Sequence, residues 1–89
     1  VIRVSEIKFS GRPNGAFLAY VSAILDECLL LRGMRLVRHE RLILSMPARQ
    51  DSAGEWREIY HPIRREAREI LEAAVFAAYE RHGVYADGQ

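Results

Sequence analysis

Met46-Pro47-Ala48-Arg49-Gln50-Asp51-Ser52-Ala53-Gly54-Glu55-Trp56-Arg57-Glu58-Ile59-Tyr60-His61-Pro62-Ile63 packs a strand end, a loop, a strand and the approach to a helix into eighteen residues. The first strand runs over Leu42 to Met46, the loop over Pro47 to Gly54, and the next strand over Trp56 to Tyr60. The helix is expected to start just after Pro62, where a fixed φ and a missing N–H are tolerated. It runs to about His82, and Gly83 provides the stop. Ala67, Ile70, Leu71, Ala74, Ala78 and Tyr79 recur at three- and four-residue spacing and make its buried stripe. Arg65 with Glu69 and Arg68 with Glu72 stand at i,i+4 on the exposed side.

Upstream of that stretch the chain reads as β structure. Ile2 to Phe9 is a first strand, and Arg12-Pro13-Asn14-Gly15 is a turn in which Asn-Gly supplies positive φ. Ala16 to Leu25 is a second strand with apolar residues at both parities, which predicts cover on both faces, by a helix on one and a second subunit on the other. Asp26-Glu27 turns the chain into a third strand, Cys28 to Val37, with Gly33 as a bulge. Arg38-His39-Glu40-Arg41 connects to the strand at Leu42. The resulting expectation is an α+β fold, an antiparallel sheet of about five strands with one long C-terminal helix packed on it. Residues 1–83 form one domain, and 84–89 read as a frayed tail.

A chain of 89 residues buries only about 60% of the surface its unfolded form exposes. A disulfide cannot compensate, because Cys28 is the only cysteine. Oligomerisation is a usual supplement in small scaffolds, so a homodimer is expected. No apolar run approaches the roughly 18 residues of a membrane span, and no basic-then-apolar leader opens the chain. The expected location is the cytoplasm, without membrane insertion.

Net charge is +1 but unevenly spread: between Cys28 and Arg49 five arginines face one carboxylate, Glu40. Such a stripe can bind polyanions even in a near-neutral protein. Equally, arginines on strands line solvated faces. Catalysis is not expected. His61, Glu58, Glu55 and Cys28 are reactive types, yet no spacing joins nucleophile, base and orienting group. No His-Xaa-His or Cys-Xaa-Xaa-Cys pattern offers a metal site, and no glycine-rich phosphate loop occurs, so no cofactor is expected. His61 is expected to anchor the strand-to-helix turn through a ring N–H bond to backbone, and Cys28 to be a small buried hydrophobe.

The order of Met46-Pro47, a polar basic loop, Gly54-Glu55-Trp56-Arg57 and His61-Pro62-Ile63 resembles the SpoVG family of small bacterial proteins. The resemblance extends to Val4–Ile7, Met34-Arg35-Leu36-Val37, Arg68, Ala74-Val75, Tyr79 and Gly83. It implies a septation and sporulation regulator that binds DNA or RNA. Sporulation does not follow, because the family is not confined to sporulating bacteria. Arg49 matches a lysine of the family's Ser-Lys-Arg run after Met-Pro, and Gln50 stands in place of the second cation. The turn at Arg38–Arg41 is shorter and more basic than the family's Gly/Asn-rich one. Arg64 stands where a capping Asn or Ser is usual, leaving Glu66 as a substitute cap, and Arg68 matches an arginine common in the family.

The expected nucleic-acid-binding residues are therefore Arg49, Gln50, Arg64, Arg65 and Arg68. The three helix arginines crowd a terminus whose dipole favours anions, so they form either a phosphate-binding edge or a solvated face paired with Glu66, Glu69 and Glu72. Trp56, Phe17, Tyr20 and Tyr60 are read as packing or dimer contacts, with base stacking as the alternative. The rival reading of the whole chain is a protein-interaction module in cell division. A third, a small hydrolase using His61 and Glu58, would require substrate turnover.

Overall fold

The computed structural model describes residues 2–82, so Gly83 and the tail at 84–89 lie outside the described residues. The elements are β1 (Val4–Ser10), β2 (Phe17–Leu25), β3 (Leu29–Arg38), β4 (Leu42–Ser45), β5 (Ala48–Gln50), β6 (Trp56–Glu58) and α1 (Arg65–His82). The first four form one antiparallel sheet in sequential order, while β5 and β6 pair only with each other. The α+β class holds, but the single five-stranded sheet does not. Trp56–Glu58 finds its partner inside its own segment, so the stretch read as a loop contains the strand Ala48–Gln50.

Local chemistry sets each connection. Asp26 and Glu27 both take positive φ, 53° and 56°, as the two central residues of a type I′ hairpin turn require. The Cys28 amide donates to the Leu25 carbonyl at 3.0 Å and closes that turn. Asp26 also accepts from the Arg3 amide at 2.9 Å, tying the start of the chain to the hairpin tip. Gly33 is a bulge, as its isolated position predicts: the register steps from Val21↔Met34 to Ala23↔Leu31, leaving one extra residue in β3. Its φ of +87° is open to glycine and costly for other residues.

The core lies between the sheet and α1. Ala19, Val21, Ala23, Met34, Leu36, Leu44 and Met46 face Leu71, Val75 and Ala78, all buried. Of the expected helix stripe Leu71 and Ala78 are buried and Ala67, Ile70, Ala74 and Tyr79 half-buried, with Val75 added, and the rings of Phe9 and Tyr79 meet edge-on at 5.9 Å beside it. Burial of side chains such as Leu71 and Val75 stabilises by about 1.5–3 kcal/mol each. The sheet's other face stays uncovered among the described residues: Tyr20, in mid-strand, is 45% exposed. Cys28 is exposed rather than buried, because it flanks the β2–β3 turn at a tip where Leu29 and Leu30 are exposed as well.

Candidate nucleic-acid interface

The β5–β6 hairpin is organised by one carboxylate. Asp51 Oδ1 accepts the amides of Ala53 and Glu55 at 2.9 and 3.0 Å. Oδ2 accepts Arg57 Nε at 2.7 Å. The Arg57 guanidinium, followed by the Glu55 amide, holds the Asp51 carboxyl below the usual carboxylate range. The Gly54 amide donates to the Asp51 carbonyl at 3.0 Å, with Gly54 at φ +84°. A four-residue turn thus forms without help from the core.

Arg49 lies directly opposite Arg57 in the ladder. Like charges so placed repel. Arg57 is neutralised by Asp51 and by Glu55 at 3.6 Å, whereas Arg49 has no ion pair among the described residues. Gln50 faces Trp56 across the ladder, and its Nε2 donates to the Gly54 carbonyl at 3.1 Å. A hollow of about 440 Å³ is bounded by Arg49, Arg57, Asp51 and Glu58 among others, so it carries both signs of charge.

Downstream, the Ile59 amide donates to the Pro47 carbonyl at 2.7 Å and the Tyr60 hydroxyl to the Arg32 carbonyl at 2.7 Å. These two bonds fix how the chain leaves the hairpin. Burial raises the Tyr60 phenol pKa, and that ring packs at the edge of the core, which removes it as a stacking platform. His61 makes a different contact from the one expected: its Nδ1 sits 3.5 Å from Glu58 Oε1 rather than on backbone.

The helix begins at Arg65, three residues beyond Pro62. The Arg68 amide donates to the Arg64 carbonyl at 3.1 Å, which makes Arg64 the N-cap residue. Its side chain has no oxygen to accept a first-turn amide. Glu66 does not take that role among the described hydrogen bonds; it lies 4.0 Å from Arg64 Nη1 instead. Arg68 pairs with Glu72 at 3.3 Å, both half-buried. Arg65 is exposed and has no ion pair among the described residues.

The predicted residues thus fall into two groups, Arg49 and Gln50 on the hairpin and Arg64, Arg65 and Arg68 at the start of α1. Within them Arg49 and Arg65 have no ion pair among the described residues, and Arg68 is largely committed to Glu72. Arg57 was missed as a member of the hairpin group. Its signal is parity: once β5 pairs with β6, a residue two before Ile59 must face Arg49.

A family model described as SpoVG matches residues 1–81. Curated relatives bear the name "Putative septation protein SpoVG". The Borrelia hermsii protein is 40% identical over 68 residues, covering 75% of this chain and 71% of that protein. The Treponema denticola protein is 36% identical over 81 residues, 90% of this chain and 83% of that one. The Archaeoglobus fulgidus protein is 33% identical over 79 residues, 86% of this chain and 93% of that one. With the match running from the first residue through almost all of α1, and with the hairpin at its centre, the chain belongs to the SpoVG family.

Proposed function

We propose that this protein is a non-enzymatic septation and developmental regulator that acts in the cytoplasm as a homodimer and binds DNA or RNA through hairpin and helix arginines. The septation role rests on the names of its relatives. The observation that carries nucleic-acid binding is Arg49, an exposed cation without a carboxylate partner among the described residues, raised on a hairpin. Arg65, with the open amides of the first helical turn, adds a second place for phosphate. Neutralising phosphates releases counterions, so binding must weaken steeply as salt rises.

Fluorescence anisotropy of labelled DNA and RNA across a salt series tests this. The Arg49→Ala, Arg65→Ala double variant is expected to bind duplex more weakly, with a log–log salt slope shallower by about 0.9 for each phosphate that is no longer neutralised. Absence of binding at low salt would sink the reading. The alternative, a protein-interaction module in cell division, is favoured by the exposure of Trp56, Ile59 and Ile63 at 69%, 59% and 90%. An apolar interface of that kind responds little to salt.

A further inference from the structure

The face of the four-stranded sheet turned away from α1 is unused by the function above. Pairing partners place Ser10, Tyr20, Arg35 and Ser45 in one row across β1, β2, β3 and β4. Partners directly opposite share a face, and Met34 and Leu36, the neighbours of Arg35, are buried on the other side. Tyr20 and Arg35 therefore stand side by side in the open. The Tyr20 ring is also braced. Phe17 meets it edge-on at 4.9 Å, and Gly11 lies so close beneath that a Cβ there would come within 3.1 Å of Tyr20 Cδ2.

Next to this row, Lys8 is opposite Ser22, and a hollow of about 400 Å³ is lined by Glu6, Lys8, Ser22, Ile24, Leu30 and Arg32. The face thus presents three cations, Lys8, Arg32 and Arg35, against one carboxylate, Glu6. None of the three has an ion pair among the described residues. A two-fold contact with a second copy would set these cations against themselves, because an isologous interface brings one patch onto its own image. A duplex does not fit either, since a sheet face offers no protruding element to enter a groove. A single strand supplies phosphates for the cations and an unpaired base for the ring.

We infer that the outer sheet face is a binding platform for single-stranded nucleic acid, with a base stacked on Tyr20 and the backbone held by Arg35 and Lys8. The inference rests on the nucleic-acid reading above and adds the strandedness and a second surface. The test is anisotropy with a labelled oligothymidine of about 12 nucleotides, within the range one small β domain covers, beside a duplex of the same length. Tyr20→Ala is expected to weaken single-strand binding about tenfold and leave duplex binding unchanged, while Tyr20→Phe stays within about twofold of the parent. Arg35→Ala, at an exposed position outside the core, is expected to make the single-strand salt slope shallower by about 0.7. If both Tyr20→Ala and Arg35→Ala bind the single strand as the parent does, while Arg49→Ala, Arg65→Ala weakens binding, the platform is overturned and the broader reading stands. Binding of duplex alone overturns the platform in the same way. Failure of the parent protein to bind any oligonucleotide overturns both.

Discussion

Asp51 shows how one exposed residue can specify an element. Its two oxygens hold the turn amides of Ala53 and Glu55 and the Arg57 guanidinium, and nearby Arg57 is thereby relieved of the repulsion that would otherwise oppose the ladder at Arg49. Because its pKa is depressed in the folded chain, its contribution is present above the unfolded value of about 3.9 and is lost as pH falls through the lower folded value. Acid should therefore loosen the hairpin before it touches the core. In an NMR titration below about pH 4, the Ala53 and Glu55 amide signals are expected to move together while those of β2 and β3 stay. Asp51→Asn should show the loosened hairpin at neutral pH. Amide signals that follow an ordinary carboxylate titration would contradict this.

At the scale of the element, α1 was the most legible part and the residue that caps it the least comfortable. Apolar residues at helical spacing persist through four turns, and that signal is local, so the helix could be read without knowing what it packs against. Arg64 at the N-cap is the exception, an oxygen-free side chain at a position that favours Ser or Asn. Arg64→Ser is expected to raise thermal stability by about 1 kcal/mol and to weaken anion binding at the same time. A melting curve and a binding isotherm on one variant check both signs. The strand β5 was illegible for the opposite reason. Ala48-Arg49-Gln50 has no alternation and little strand propensity, so its structure depends on the turn that Asp51 closes and on the residues across the ladder. Cys28 was misread because a run of leucines looks buried in sequence, whereas these leucines lie at a hairpin tip. The hairpin cation Arg49 was visible in the sequence, but the alignment of Arg57 with it required the register.

On the scale of the whole molecule, the described residues have more apolar surface than they cover. Trp56, on the hairpin, is 69% exposed, and Ile59 and Ile63, between the hairpin and the start of α1, are 59% and 90% exposed. A two-stranded hairpin is marginal in water by itself, and a large aromatic side chain contributes about 150–250 Å² when buried. A second copy seated here would answer both needs, with the charged outer sheet face left free. Sedimentation velocity is expected to find a dimer in the parent protein and a larger monomer fraction in Trp56→Ala, with salt changing neither by much. A parent protein that stays monomeric at high micromolar concentration would remove this interface.

Trp56 is also the single tryptophan, and it sits on an element that shares no strand pairing with the main sheet. Its emission therefore follows the hairpin, whereas far-ultraviolet dichroism follows sheet and helix. The two signals report separate events. A denaturation curve recorded by fluorescence alone would then follow the hairpin and the contact expected there with a second copy, and an all-or-none treatment of it would assign the core a stability that belongs elsewhere.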